Sequence, residues 1–450
     1  MSMMSSGPRL TLLASLCAAA ACGSVKDQAG HLPDGGTPAD APPTGPVRGT
    51  VHVTVLEPAG TGNPAVGATV VFVDTDGTVT KKTTDTAGKA NADLLPGASV
   101  TSVVLVNTQY TLQTVLALKP ADDITLGAKN VDAASAGTFA VTVPPFGNST
   151  SYSVSTPCGS YPAIQQPTTG LYVASIVFTN DCKKSPFEMV VVARIGNPSA
   201  EASSIDIPSV AFVPNGSYTV TGAYTGLQSV TSSYTNINPN VAALQTSRVV
   251  PDQAGIVELT ASAAPTGATM STVVTGGLSS KAQILTAVTK GVLSSQIIRQ
   301  PIPGTASTYG LDVGATLLPW INGATYDATT AKVVVPVDTT GTTMDKPDLF
   351  GLGIHYSRDD GTTTTSFDWS FFGPEIGDIA LPPLPADLGP LLPTANDAVN
   401  ITVAAAFDAA SVAGYDAVRN NTRPAFTSYT SARPADTNIR VTRYVILRRL

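Results

Sequence analysis

The feature that most restricts the fold of this chain is the alternation of apolar and polar residues in short segments. Residues 51–55 and 139–143 each place valine or phenylalanine at every second position, with polar or small residues between them. Such alternation is typical of a strand with one buried face. Turns rich in glycine and proline separate these segments at intervals of about ten residues, as in β-sandwiches. The sequence therefore predicts an all-β chain of tandem β-sandwich modules.

The charge of the chain restricts its partners. Charged residues make up only 13 % of the 450 residues, and the formal net charge is −7. Proteins that hold nucleic acid without sequence preference need basic clusters to neutralise phosphates. The composition therefore argues against a nucleic-acid partner.

The N-terminal residues have the pattern of an export signal. Arg9 precedes a short apolar stretch, residues 10–16, and small alanines follow at positions 18–21. The stretch is too short to cross a bilayer, whose apolar layer is about 30 Å thick, as a permanent helix. Residues 1–21 are therefore predicted to be a signal peptide. Residues 22–47 are dense in Pro, Gly, Asp and Ala, which predicts a disordered tether.

The junction Ala19-Ala20-Ala21-Cys22 resembles the bacterial lipobox, although Ala19 stands where that motif usually has leucine. The resemblance implies that Cys22 becomes the lipidated first residue of the mature protein, whereas Cys17 is removed with the signal. Together with the tether "DGGTPADAPP", it resembles Gram-negative surface lipoproteins of the myxobacterial type. It implies a chain exported and anchored by lipid to the cell envelope, at the outer membrane. The alternative is an ordinary cleaved signal with an incidental Cys22.

Residues 48–128 are predicted to form the first sandwich. The segments "PAVGATVVFVDTDG" and "TDTAGKANADLLPGASV" resemble carboxypeptidase regulatory-like domains. The resemblance implies a prealbumin-like or Ig-like β-sandwich without catalytic residues. Residues 74–77 have a faint likeness to a calcium loop, but the remaining ligands are missing, and a hairpin turn is the better interpretation.

Residues 129–225 are predicted to form a second sandwich that contains a disulfide. Cys158 and Cys182 lie at predicted strand ends and are the only cysteines of the folded region. An exported chain meets an oxidising compartment, which favours a Cys158–Cys182 bond. A zinc site or a catalytic cysteine is disfavoured, because no histidine or other partner is nearby.

Residues 226–335 are predicted to be β-rich and residues 336–450 to form a C-terminal β domain. Its clearest element is a hairpin closed by Asp360-Gly361, which would place Ile354 opposite Phe367 and Leu352 opposite Trp369. The other face would carry His355 beside Ser366, with Asp368 diagonal to the histidine. A catalytic triad is disfavoured there, because no nucleophile elbow or oxyanion hole accompanies these residues.

Three expectations concern the C-terminal residues. The proline-rich segment 374–397 is predicted to wrap the surface as extended chain. Residues 404–418 are candidates for one short helix. The last strand, with Arg440, Arg443, Arg448 and Arg449, is interpreted either as a charged sheet edge that resists aggregation or as a contact to anionic lipid or polysaccharide.

No metal-ligand spacing, phosphate loop or nucleotide motif is present, so neither a metal nor a cofactor is predicted and no catalytic residue is assigned. The leading hypothesis is a non-catalytic envelope lipoprotein with a structural, adhesive or partner-binding role, with envelope proteins or polysaccharide as partners. One alternative is a carbohydrate-binding surface protein. Its aromatic platform would be Trp320, because Trp369 is predicted to be buried. A second alternative is an exported hydrolase.

Overall fold

The computed structural model describes residues 46–58, 60–127, 134–195, 200–225, 228–249, 257–276, 283–290, 293–303, 306–359, 361–430 and 438–444. Within these ranges strands dominate, and the helices are short and lie near the C-terminal end. The predicted all-β class is confirmed. The predicted signal peptide, nearly all of the tether, and Cys22 lie outside the described residues. No helix among those described is long and apolar enough to cross a membrane.

The first module is a two-layered β-sandwich. Its strands are β1 (Gly49–Val55), β2 (Thr69–Val73), β3 (Val79–Thr83), β4 (Lys89–Leu94), β5 (Ala98–Val106), β6 (Gln109–Leu118) and β7 (Asp123–Leu126). One layer has the order β4-β1-β7, and the other has the order β6-β5-β2-β3. Val51, Val53 and Val55 are buried in the core between the layers, whereas His52 is exposed, as the alternation predicts.

The predicted turn at residues 74–77 is confirmed. The N–H of Gly77 donates to the carbonyl of Asp74 at 3.0 Å, and Gly77 has a φ of +85°, which glycine adopts without strain. The Asp74 carboxylate accepts hydrogen bonds from the N–H groups of Thr75 and Leu95 and from Arg48. Donors of the chain itself therefore satisfy this carboxylate.

The second module contains a seven-stranded sheet in the order β13-β12-β9-β10-β11-β8-β14. These strands are β8 (Ser135–Val143), β9 (Ser151–Thr156), β10 (Gly159–Gln165), β11 (Tyr172–Thr179), β12 (Phe187–Ile195), β13 (Ala200–Val210) and β14 (Gly216–Thr219). Strand β10 pairs first with β9 and then with β11, so both halves of the sheet share it. The two halves pack on one aromatic core that includes Phe139, Phe178 and Phe187.

The predicted disulfide is confirmed. Cys158 immediately precedes β10, Cys182 follows the end of β11, and their Cα atoms are 5.0 Å apart in a bonded pair. The bond ties the turn of the β9-β10 hairpin to the segment that follows β11.

The third module contains the strands β15 (Gln228–Thr235), β16 (Ala243–Val249), β17 (Val257–Ala263), β18 (Met270–Gly276), β19 (Gln283–Lys290), β20 (Ser294–Pro301) and β21 (Thr308–Asp312). A three-stranded sheet, β18-β15-β21, contributes Val230 to a core shared with Leu244 of β16 and Ile298 of β20. The residues predicted to be β-rich therefore form strands, and these strands pack in two layers around a shared core.

The described residues from 320 to 444 add nine strands and four short helical segments. The strands are β22 (Trp320–Ile321), β23 (Thr325–Asp327), β24 (Lys332–Val334), β25 (Val337–Asp338), β26 (Leu349–Asp359), β27 (Thr364–Gly373), β28 (Ile379–Ala380), β29 (Asn400–Ala409) and β30 (Ile439–Tyr444). The α-helices are α1 (Tyr415–Val418) and α2 (Thr422–Thr430), and 3-10 helices span Ala386–Leu391 and Arg419–Asn421.

A twelve-stranded sheet connects three of the four predicted folded regions. Its order is β17-β16-β19-β20-β30-β29-β26-β27-β6-β5-β2-β3. Strand β6 of the first module pairs in parallel with β27, for example Leu112 with Trp369, although these residues are far apart in the chain. The predicted domain boundaries stay predictions, but strands from residues 48–128, 226–335 and 336–450 share one hydrogen-bonded sheet.

The hairpin β26-β27 has the predicted faces and a different register. Phe350, Leu352, Ile354, Trp369 and Phe371 are all buried on one side, as expected. The pairs, however, are Ile354 with Trp369 and Leu352 with Phe371. The last pair joins Asp359 to Thr364, so the connection has four residues and not two. The Asp359 side chain accepts the N–H of Gly361 at 2.8 Å, which holds this longer turn.

The C-terminal strand is not a sheet edge, so that expectation is wrong. Strand β30 lies between β20 and β29 and pairs with both. Arg440 forms ion pairs with Asp408 and Asp345, and the Nε of Arg443 donates to Ser295 at 3.1 Å. Arg448 and Arg449 lie outside the described residues.

Two further expectations about the C-terminal residues need correction. Residues 404–409 belong to strand β29, and of the predicted helical segment only the last four residues form helix α1; helix α2 was not predicted. The proline-rich segment contains β28 and a 3-10 helix in addition to extended chain. Its leucines pack on the core around Trp369, and Arg358 holds it through the carbonyl of Leu392 at 2.6 Å and the carboxylate of Asp397.

Asp348, which immediately precedes β26, is a buried carboxyl group. Burial raises its pKa to about 6, and the neighbouring Asp408 acts in the same direction. The N–H groups of Ala409 and Gly414 donate to its two oxygens at 2.7 and 3.0 Å, which opposes the rise. The net effect favours the neutral carboxyl in the folded protein.

We expect the free energy of unfolding to fall as the pH rises through this range. The folded pKa of Asp348 lies above its ordinary value of 3.8, so its contribution is full below about pH 4 and is lost as the pH passes about 6. A rise in the pKa from 3.8 to about 6 corresponds to about 3 kcal/mol of stability. Denaturant unfolding of the wild type and Asp348→Asn from pH 4 to pH 7 checks this. As the pH rises, the free energy of unfolding of the wild type should fall relative to that of Asp348→Asn. An equal pH dependence of the two proteins would contradict the assignment.

Candidate ligand-binding cleft

The expected exposure of Trp320 is wrong. Trp320 is only 1 % exposed and packs in the core of the third module together with Leu317 and Tyr309. Its strand, β22, pairs with β25, so that Trp320 lies opposite Asp338. The neighbouring residue Pro319 does not indicate that Trp320 pairs with a strand distant in the sequence. Trp320 therefore offers no platform at the surface.

The polar face of the hairpin brings His355 and Asp368 together. They are direct cross-strand neighbours, and Nδ1 of His355 lies 2.8 Å from Oδ1 of Asp368. Ser366 is opposite Ser357 and not opposite His355, because the register differs by two residues from the expected one. Among the described residues Asp368 is the only hydrogen-bond partner of His355. The arrangement therefore lacks the nucleophile that a triad requires.

A cleft of about 440 Å³ lies on the same face of the sheet. Strands β6 and β27 form its floor with the side chains of Gln109, Thr111, Asp368 and Ser370. The volume is within the range of about 300–1,000 Å³ that small-molecule sites occupy.

The walls of the cleft come from four other segments. Thr402 of β29 and Arg423 of α2 contribute polar side chains, and Pro58 and Val106 contribute apolar ones. At Gly353 of β26 a Cβ atom would collide with the hydroxyl of Thr402. The glycine thus allows the Thr402 hydroxyl to approach the sheet.

Asp368 is held in a fixed position at the cleft. One oxygen contacts His355 and the other accepts a hydrogen bond from the side-chain amide of Gln109. Its side chain is nevertheless 39 % exposed. Each carboxylate oxygen has two lone pairs, so Asp368 can accept further hydrogen bonds from a ligand.

Arg423 supplies the opposite charge. It is the second residue of α2 and is half-buried, and its side chain makes no hydrogen bond or ion pair with any part of the chain that the structure describes. Its guanidinium therefore retains all five N–H donors. The cleft combines a fixed acceptor, an unpaired donor and several hydroxyl groups, which suits a polar ligand.

A second cavity, of about 490 Å³, shares Pro58 and Val106 with the cleft. Its lining is largely apolar and includes Leu105, Tyr110 and Leu388. In the described ranges no group of three or more His, Cys, Asp or Glu residues is placed to hold a metal ion. Of these two cavities the cleft has the more polar lining.

Sequence reasoning found part of this site and missed the rest. It singled out His355 and Asp368 as residues on one polar face, which the structure confirms, but it did not identify Thr402 or Arg423. A proline in the first turn is a known helix-start signal, and Pro424 supplies it for α2. The proximity of α2 to the hairpin has no sequence signal.

The comparisons with known proteins give no family. No protein-family model matches the chain, and no curated protein matches it. Among solved structures it is similar to the Bacillus anthracis TIE protein, at 11 % identity over 59 % of this chain and 50 % of that one, with a TM-score of 0.15. The chain thus spans about half the length of that protein.

Two further solved structures are similar at the same level. BcpA, the major pilin subunit of Bacillus cereus, matches at 11 % identity over 59 % of this chain and 98 % of that one, with a TM-score of 0.14. The pilus adhesin SpaC from Lactobacillus rhamnosus GG matches at 10 % identity over 72 % of this chain and 44 % of that one, with a TM-score of 0.13. Scores this low carry no argument about function.

Proposed function

We propose that this chain is a non-catalytic protein of the cell envelope, displayed on a lipid anchor at Cys22, with a structural or adhesive role. The observation that carries the proposal is the Cys158–Cys182 disulfide. Structural disulfides persist in oxidising compartments outside the cytosol, so the bond supports export of the folded modules.

Two features support a role without catalysis. The only partner of His355 among the described residues is Asp368, at 2.8 Å, and no hydroxyl is placed to be activated by this pair. In addition, the twelve-stranded sheet links three regions of the chain through continuous hydrogen bonding. Such a body is suited to bear load or to present a surface at a distance from the membrane.

The lipid anchor predicts a specific partitioning of the protein in detergent. Expressed with its own leader in a Gram-negative host, the wild type is expected in the detergent phase after Triton X-114 separation. Cys22→Ser should move to the aqueous phase, because it lacks the thiol that receives the lipid. Mass spectrometry of the mature N-terminus provides the direct measurement.

Cys17→Ser is the matched control for this experiment. It removes the neighbouring cysteine of the same segment, which the proposal assigns to the discarded signal, so its partitioning should equal that of the wild type. Equal partitioning of Cys22→Ser and wild type, or an unacylated mature N-terminus, would refute the anchor.

A further inference from the structure

We propose that the cleft between β6, β27 and α2 binds a neutral oligosaccharide, with Asp368 as hydrogen-bond acceptor and Arg423 as donor. The inference goes beyond the structural role proposed above and does not depend on the lipid anchor. The proposed site lies far in the sequence from Trp320. Its residues do not belong to any one sequence motif.

The cleft contains both a hydrogen-bond acceptor and a hydrogen-bond donor. Asp368 is oriented by His355 and Gln109 and lines the cleft, whereas the Arg423 side chain has no partner among the described residues. A sugar hydroxyl both donates and accepts hydrogen bonds, so different hydroxyls of one oligosaccharide can use the two groups. Hydrogen bonds to charged groups are the stronger ones.

The lining around Asp368 and Arg423 is otherwise uncharged. Thr111, Ser370 and Thr402 add hydroxyl groups, which donate and accept without charge. Pro58 and Val106 present apolar surface at the rim, and Val106 is 44 % exposed. The C–H faces of a pyranose ring match such surface, whereas a small inorganic ion would leave it unused.

The electrostatics of the cleft favour a ligand without net charge. An anion meets a like charge in Asp368 and a cation meets one in Arg423, whereas a neutral polyol meets no like charge. The formal net charge of −7 also disfavours acidic polysaccharides at long range.

The test is binding of defined glycans by the full-length protein. An array that carries neutral and acidic oligosaccharides identifies binders, and calorimetric titration with the best free oligosaccharide gives the affinity. We expect binding of neutral glycans. Asp368→Asn and Arg423→Gln should each weaken it about tenfold or more, because each removes a hydrogen bond to a charged group. Thr402→Val, which keeps the volume of the side chain, should weaken it by a smaller factor.

Arg194→Gln is the matched control. Arg194 is also a half-buried arginine, but it belongs to β12 of the second module and donates to Ser153 at 2.6 Å. Its substitution should leave the affinity unchanged. Circular dichroism and the melting temperature of each variant establish that the fold is retained, and Thr402→Val keeps the test decisive if either charged variant fails to fold.

Four outcomes would overturn the proposal. They are absence of binding to every glycan, binding of acidic glycans only, retention of wild-type affinity by Asp368→Asn, Arg423→Gln and Thr402→Val, and equal loss of affinity in Arg194→Gln. Loss of the lipid anchor in Cys22→Ser would leave glycan binding unchanged, so failure of the proposed function and failure of this inference are distinguishable.

Discussion

Arg419→Ala is expected to lower the free energy of unfolding by about 3–5 kcal/mol, the cost of leaving a buried charge without its partner. Arg419 is 4 % exposed, and its partner Asp122, next to β7, is 7 % exposed. Nε and Nη2 of the guanidinium contact the two oxygens of Asp122 at 2.6 and 2.7 Å. The pair joins the first module to the helical segment near the C-terminus.

Lys119→Ala is the matched control for this prediction. Lys119 and Asp416 form an ion pair between the same two segments, but their side chains are 53 % and 57 % exposed. Exposed pairs contribute little because water and salt screen them, so this variant should change stability by less than about 1 kcal/mol.

The measurement is urea unfolding combined with amide hydrogen exchange. Arg419→Ala should accelerate amide exchange in β7 and α2. The double variant Arg419→Ala/Asp122→Asn should recover part of the lost stability, because it also removes the carboxylate that has lost its arginine partner. Equal stability of Arg419→Ala and Lys119→Ala would contradict the assigned role of burial.

Removal of the Cys158–Cys182 bond is expected to destabilise the second module by about 3 kcal/mol. The two cysteines are 24 residues apart in the sequence, and in the chain-entropy model closure of a loop of this length restricts the unfolded chain by about that free energy. The double variant Cys158→Ala/Cys182→Ala avoids an unpaired thiol in the comparison.

Hydrogen exchange locates this effect within the chain. Amides of β9 to β12, which flank the bond, should exchange faster in the double variant. Amides of β1 and β4 in the first module serve as the internal control and should exchange at the wild-type rate. Unchanged protection of β9 to β12 would show that the bond does not stabilise this module.

The hairpin β26-β27 shows how far local pattern reaches. Alternation placed Ile354, Trp369 and their neighbours on the correct face, because side chains of a strand alternate whatever the partner. It failed on the register, since the Asp359 side chain holds a four-residue connection that a two-residue turn signal cannot reveal. Because the register of the hairpin differs from the predicted one by two residues, each side chain stays on the predicted face of the sheet. The polar residues that lie opposite one another are different.

The candidate cleft illustrates what local pattern leaves open. His355 and Asp368 are close in sequence and were identified together. Gln109, which contacts Asp368, and Arg423, which lines the same cleft, are brought there only by the tertiary structure. Burial of Trp320 is another such case, because its short strand is covered by a partner that the surrounding residues do not specify.

The sequence by itself determined the all-β class, the alternating core of β1 and the pairing of Cys158 with Cys182, because each depends on local periodicity or on a pair of residue types without competitors. Only the tertiary structure decided that β6 joins β27 in parallel, that β30 lies inside the sheet, and that Arg423 and Asp368 line one cleft. Backbone hydrogen bonds are the same for every strand, so the choice of neighbour depends on packing over the whole molecule and not on any short segment.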